Sequence, residues 1–212
     1  MNKKDVIGVT PFNLGWLEYR LNSQEMEYLW RCIKKKQDDY RSSLAGNISG
    51  SYKLMDRGDW FFYNTLRPLF LQYQDQFCNL GKDVPVPPAL LYPYYLVDWW
   101  VNIQKQNDFN PMHRHGGVYS FVIWMKIPTE WKKQNLGNKT NCPRISSFEI
   151  VFSNILGEIQ THSYHLTPKH EGLMLFFPSQ LNHSVYPFYN CDEERISVSG
   201  NLSLNTTKVR HV

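Results

Sequence analysis

Arg195-Ile196-Ser197-Val198-Ser199-Gly200-Asn201-Leu202 alternates polar and apolar side chains along its length. Successive side chains of an extended chain point to opposite faces, so Arg195, Ser197, Ser199 and Asn201 share one face while Ile196, Val198 and Leu202 share the other. The run from Trp99 to Gln104 behaves in the same way, with Trp100, Asn102 and Gln104 alternating with Trp99, Val101 and Ile103. We assign the polar faces to a barrel interior and the apolar faces to packing against helices. This inverts the usual order and is expected only where the interior holds a polar ligand. An ordinary half-exposed sheet with its polar face in water is the alternative that alternation alone leaves open.

Working outward, further short β-rich runs separated by turn signals fall at 96–105, 117–127, 145–153, 157–166, 172–177, 183–188 and 194–203, with a possible N-terminal strand near 6–10. About eight short strands with helices gathered at the N-terminus predict an α+β, mainly β fold: a double-sheet jelly roll, or double-stranded β-helix, buttressed by helices. Asn22-x-x-Glu25 reads as a capping box opening a helix that carries Met26, Leu29, Trp30 and Ile33 on one side. A second helix is expected from about Thr65, with Pro68 in its first turn and Leu66, Leu69, Phe70, Tyr73 and Phe77 as its apolar stripe. Val84-Pro85-Val86-Pro87-Pro88 reads as an extended connector. The expected organisation is one domain over 1–212, mainly helical support over 1–93 and jelly-roll core over 94–205. The polar stretch Thr129 to Pro143 is either a lid or a solvated insertion.

The bulk numbers set bounds. A chain of 212 residues that is 42% hydrophobic can bury one substantial core and is short for two. A formal charge of +4 without long Lys/Arg runs gives no footprint for nucleic acid, though it suits a small acidic ligand. No apolar stretch has the length of a membrane span, and Met1-Asn2-Lys3-Lys4-Asp5 leads into no apolar leader segment, so a cytoplasmic protein without a membrane partner is expected. Scarce Ala with plentiful Asn, Lys and Tyr suits a low-GC bacterial or viral genome. Cys32, Cys78, Cys142 and Cys191 are scattered without a C-x-x-C pair and are expected to be reduced thiols. Oligomeric state is not legible.

His113-Arg114-His115 supplies the chemistry. On an extended strand the two imidazoles face one side and reach a single ion while Arg114 points away; a third ligand must then come from another strand. His162, His165 and His170 lack such context and are read as packing residues. Trp99, Trp100 and Trp124 are expected in the core, with one available to line a substrate mouth.

Asn110-Pro111-Met112-His113-Arg114-His115, then Gly172-Leu173-Met174-Leu175-Phe176-Phe177-Pro178-Ser179-Gln180-Leu181-Asn182-His183, then Arg195-Ile196-Ser197 resembles the 2-oxoglutarate/Fe(II)-dependent oxygenases, whose pattern is H-x-D/E, a distal H, and R-x-S. The resemblance covers roughly the C-terminal half. Arg195 follows His183 by twelve residues, within the family's spacing between its last iron ligand and the basic residue that holds the distal carboxylate of 2-oxoglutarate. What the resemblance implies is a dioxygenase with Fe(II) on His113, His115 and His183, leaving open positions for 2-oxoglutarate and O₂. Arg195 would grip the distal carboxylate bidentately, with Ser197 and Asn102 as further contacts. No catalytic residue is expected beyond the metal centre. The implied outcome is succinate, CO₂ and hydroxylation of an unidentified protein side chain or small molecule.

His115 departs from the pattern, where most members carry Asp or Glu; bacterial and phage-type members are similar to this chain in reading H-x-H. The third imidazole raises the formal charge of the ligand–metal unit by one. Two other classes remain open on the residues alone. One is a cupin-like three-His metalloprotein that does not use 2-oxoglutarate, although His115-Gly116-Gly117-Val118-Tyr119-Ser120 lacks the Glu that cupins place after H-x-H. The other is a non-catalytic jelly-roll binding module.

Overall fold

The computed structural model describes residues 7–82, 93–137 and 139–206. The proline-rich connector at 84–88 lies outside the described residues. Ten strands are present among them: β1 (Leu17–Arg20), β2 (Gly50–Lys53), β3 (Tyr94–Gln104), β4 (Asn110–His113), β5 (Tyr119–Lys126), β6 (Ser147–Ser153), β7 (Ile159–His165), β8 (Leu173–Pro178), β9 (Asn182–Val185) and β10 (Arg195–Leu204). A six-stranded sheet runs β1-β8-β5-β10-β3-β2 and a four-stranded sheet runs β4-β9-β6-β7. Every pairing is antiparallel. The fold is the mainly β jelly roll that the strand spacing predicts.

Three features depart from the sequence-based expectation. No strand forms over 7–10; the first begins at Leu17 and pairs with β8. The N-terminal third is not all helical support, because β1 and β2 close the two edges of the large sheet. Both are only four residues long, too short to carry a period-2 signal against helical neighbours. The third departure is β4, whose Asn110-Pro111-Met112-His113 has no alternation to read.

The helices form as their caps dictate. In α1 (Ser23–Lys34) the Asn22 side chain accepts from the Glu25 N–H at 3.0 Å, and the Glu25 carboxylate accepts from the Asn22 N–H at 2.8 Å. The second helix starts earlier than Thr65: the Asp56 carboxylate accepts from the N–H groups of Phe61 and Phe62, and a π-helical turn, Phe62–Leu66, leads into α2 (Arg67–Gln76). Leu29, Ile33, Phe61, Leu66, Phe70 and Tyr73 from these segments pack on Trp99 and Val101 of β3, Phe121 and Ile123 of β5, and Val198 and Leu202 of β10. This single apolar layer buries the outer face of the large sheet.

Between the sheets lies a second, smaller apolar cluster, built from Val122 and Trp124 of β5, Phe148 and Ile150 of β6, Tyr164 of β7, and Leu175 and Phe177 of β8. β5 is therefore covered on both faces, which is why it reads as the unbroken apolar run Phe121-Val122-Ile123-Trp124-Met125. β3 and β10 differ. Their apolar residues face the helices, while Trp100, Asn102, Gln104, Ser197 and Ser199 line a cavity between the sheets. The interior assignment of the polar faces is correct, and in register Ser197 lies opposite Asn102 and Arg195 opposite Gln104.

Gly200 lets these strands approach. A Cβ there would come 2.6 Å from the Phe121 ring and 2.8 Å from the Asp98 carbonyl oxygen. Gly200→Ala is expected to overpack this position and destabilise the fold by ~1–3 kcal/mol, read as a lower urea midpoint with an unchanged slope.

Candidate metal centre

His113 is the last residue of β4 and pairs in register with His183 of β9. His115 does not share the strand: it lies two residues past the end of β4, in the loop to β5. The same-face argument for a strand pair therefore fails, because His115 lies outside the strand and reaches its neighbours by another route. The loop is pinned from the β8–β9 turn: the His115 N–H donates to the Ser179 carbonyl at 2.9 Å, Gln180 Nε2 donates to the His115 carbonyl at 3.0 Å, and the Ser179 hydroxyl donates to the Gly117 carbonyl at 2.6 Å. That clamp brings His115 back beside its neighbours. The ligand atoms of His113, His115 and His183 lie within 4.8 Å of one another, and the Nε2 atoms of His115 and His183 are 3.2 Å apart. Two nitrogens bound at right angles ~2.1 Å from one ion would be ~3.0 Å apart.

Backbone carbonyls orient two of the rings. His113 Nδ1 lies 2.7 Å from the Pro111 carbonyl and His183 Nδ1 lies 2.9 Å from the Leu181 carbonyl. A carbonyl only accepts, so each Nδ1 carries the proton and each Nε2 keeps its lone pair. Burial then holds the rings neutral. It pushes the His183 imidazole down to about 3, with His113 and His115 adding to the effect, and His115 down to about 4, with His113 adding. His113 is lowered by burial, against the opposing pull of the Pro111 carbonyl. Neutral imidazole is the ligating form. Phe148 and Phe177 flank His183, and Trp100 packs against His115 with ring centroids 5.7 Å apart.

Arg195 is fully buried. Its Nε donates to Gln104 Oε1 and its Nη2 to the Tyr186 carbonyl, each at 3.0 Å, while Nη1 is buried without a protein partner. Burial draws its pKa down to about 10, and the charge of buried Asp108 resists that shift. Arg195 stands behind the cavity wall and reaches it through Gln104, which lines it. Ser197 and Asn102 are on the wall itself, and Asn102 Oδ1 accepts from the Ser51 hydroxyl at 2.9 Å. Five of the six residues singled out from the sequence, Asn102, His113, His115, His183 and Ser197, thus line one cavity, and Arg195 lies behind its wall. Three neutral imidazoles converging on one cavity, with a buried guanidinium behind its wall, fit a divalent metal together with an anionic chelator.

Residues 98–201 match the family model described as "Putative 2OG-Fe(II) oxygenase". The chain belongs to the 2-oxoglutarate/Fe(II)-dependent oxygenases. Membership makes this oxygenase an oxidoreductase with Fe(II) as its metal and 2-oxoglutarate and O₂ as cosubstrates. Its fold is similar to that of a Pseudomonas putida prolyl-4-hydroxylase, with 15% identity and a TM-score of 0.50 over 91% of this chain and 94% of that one. It is also similar to an oxidoreductase of the 2OG-Fe(II) oxygenase family from Burkholderia pseudomallei, with 11% identity and a TM-score of 0.51 over 87% and 80%. At such identities the likeness is one of fold. No curated protein matches the oxygenase in sequence.

Other sequence expectations resolve around this centre. His162 lies against Trp16, His165 stacks on Trp131 at 3.9 Å, and His170 is bonded to Thr167; none joins the histidine cluster. The Thr129–Pro143 stretch forms a short helix, α3 (Trp131–Gln134), tied to Tyr189 by two bonds of Gln134 and bordering a recess away from the histidines. All four cysteines are free, and no described helix is long and apolar enough to cross a membrane. What sequence reasoning missed is the support: Ser179, Gln180 and the carbonyls of Pro111 and Leu181. Backbone acceptors leave no residue-type signal. Gln104 was visible as a member of the polar face, but not as the partner of Arg195.

Gly117 makes the histidine loop possible. It has φ +88°, and a Cβ would come 2.6 Å from the Leu202 carbonyl oxygen. Gly117→Ala therefore strains the segment that carries His115. The expected result is weaker iron binding by about tenfold or more, comparable with losing ligand support, with all three histidines intact; competition against a calibrated chelator measures it.

Proposed function

We propose that this oxygenase is a hydroxylase acting on a protein side chain or small molecule, organised as one domain over 1–212, in which His113, His115 and His183 hold Fe(II) and Arg195 binds 2-oxoglutarate. The observation that carries the reading is the convergence of three neutral imidazoles on a cavity whose wall residue Gln104 is bonded to a buried guanidinium with an unpartnered Nη1. When bound, Fe(II) and 2-oxoglutarate supply an oxidation in which one oxygen atom of O₂ enters a substrate C–H bond and the other enters succinate, with loss of CO₂.

The chain's own residues prepare that chemistry. The Pro111 and Leu181 carbonyls hold the His113 and His183 rings in the tautomer that offers Nε2. Arg195 is fixed by Gln104 and the Tyr186 carbonyl and lies over the Phe188 ring, so little side-chain entropy is lost when its remaining Nη1–H takes a carboxylate. The Ser197 hydroxyl and the Asn102 amide, whose oxygen is already committed to Ser51, add polar groups on the same wall. Phe148 and Phe177 keep water from His183. The cavity has a volume of about 30 Å³, close to the share of a single water. A five-carbon dicarboxylate requires it to widen by side-chain movement.

His115 is the sharpest test of the ligand set. His183→Ala and His115→Ala are expected to abolish tight binding of one iron per chain, while His115→Asp restores the commoner ligand set and keeps 2-oxoglutarate-dependent succinate release at least in part. Metal analysis of the purified variants reads this, and full iron occupancy in His115→Ala would leave a two-histidine site. Arg195→Gln should weaken 2-oxoglutarate by roughly tenfold or more, the equivalent of ~1.5–3 kcal/mol for a hydrogen-bonded charge, and change iron affinity far less. Calorimetric titration of both ligands decides it; unchanged 2-oxoglutarate affinity would remove Arg195 from the site.

A further inference from the structure

A second recess of about 260 Å³ opens on the other side of His113 and His115. Tyr40, Asp98, Trp100, Asn110 and Arg114 are among its lining residues. Asp98 and Trp100 belong to the same face of β3 as Asn102 and Gln104, because all four are even-numbered positions of one strand. That face is polarised. Its inner end meets the buried Arg195 through Gln104, and its outer end carries the Asp98 carboxylate. Six residues at ~3.3 Å each put the two ends ~20 Å apart, with the histidines between them, since Trp100 lines both cavities and packs on His115.

The carboxylate is half-buried and lacks a cation. Among the described residues no Lys or Arg comes within ion-pair distance of it. Its side-chain neighbour is the Tyr40 hydroxyl. Lys53 is engaged over the Tyr40 ring at 5.5 Å, and Arg114 is exposed on the rim. Trp100 adds an aromatic wall, with its ring 5.2 Å from that of Tyr40. Two of the recess's polar groups, Trp100 Nε1 and Asn110 Oδ1, are buried without protein partners. A carboxylate without a cation, beside the Tyr40 hydroxyl in a recess that also holds the Trp100 ring and the unpartnered acceptor Asn110 Oδ1, is a receptor for an organic cation. It also opposes entry of a dicarboxylate from this side, leaving the cationic end of the cavity for 2-oxoglutarate.

We propose that the recess binds the primary substrate through a basic group, an ammonium or guanidinium paired with Asp98, so that an aliphatic carbon of the same molecule lies over His113 and His115. Trp100 is two residues along the strand from Asp98, or ~7 Å, so the charge and the reacting carbon are separated by a short alkyl chain. Lysine and arginine fit, either as free amino acids or as residues of a peptide. This inference rests on the iron-oxygenase reading for its geometry.

The test is calorimetric binding to the Fe(II)- and 2-oxoglutarate-loaded protein under anaerobic conditions, so that no turnover occurs. The probes are L-arginine and L-lysine, their neutral counterparts L-citrulline and L-norleucine, and blocked tripeptides with each of the four at the centre. A cationic probe is expected to bind about tenfold or more tightly than its neutral counterpart, and the free or blocked form that binds identifies the source. Asp98→Asn should erase the difference, and Asp98→Glu, which keeps the charge, should retain it. Equal affinity for cationic and neutral probes in the parent overturns the proposal, as does discrimination that survives in Asp98→Asn or is lost equally in Asp98→Glu. Titration of 2-oxoglutarate into the parent reads the iron-oxygenase proposal separately: 2-oxoglutarate binding without charge discrimination sinks the role of Asp98 alone, whereas no 2-oxoglutarate binding sinks the site on which both rest.

Discussion

A guanidinium with no solvent exposure governs the interior of this barrel. Removing a charge from water costs several kcal/mol even after the protein relaxes, unless the charge is bonded on all sides. Arg195 has two of its groups satisfied by Gln104 and Tyr186 and a favourable field from Asp108, itself held by the Ser49 N–H and hydroxyl and the Lys105 N–H. The remaining Nη1–H is left over. A buried donor of this kind suits an anionic partner, and the polar inner faces of β3 and β10 continue from it through Gln104.

The division of the sheets follows from the same constraint. Where no ligand is to be held, the space between them fills with Trp124, Phe148, Leu175 and Phe177, and β5 becomes apolar on both faces. Towards β3 and β10 the filling is Asn, Gln and Ser. The helices compensate by burying the outer face of the large sheet under one aromatic layer, in which Phe61 stacks on Trp99 and Tyr73 meets Tyr119 edge-on. Stability thus comes mainly from outside the barrel, which leaves the inside free for polar chemistry.

The third histidine shows how a loop substitutes for strand geometry. His115 gains its place from backbone bonds to Ser179 and from Gln180, so the β8–β9 turn that leads to His183 also sets His115. Two of the three imidazoles are thereby coupled to one turn. His115 stands where the family pattern carries a carboxylate, so the cluster has no negative charge of its own, and burial of the rings keeps them unprotonated.

The sequence by itself determined which strand faces line the cavity between the sheets. Alternation in Arg195–Leu202 and Trp99–Gln104 named the inward residues, since side-chain direction in a strand is a local property of period 2. The capping box of α1 was legible for the same reason: both of its bonds span three residues. Motif spacing singled out His113, His115, His183, Arg195 and Ser197, and the polar strand face singled out Asn102. Tertiary structure alone decided what lies far apart in the chain or belongs to the backbone: the edge strands β1 and β2, the loop position of His115, the carbonyls that orient His113 and His183, and the pairing of Arg195 with Gln104 across 91 positions. Such contacts depend on how distant segments meet, and backbone groups are the same at every residue, so neither leaves a mark on the order of side chains.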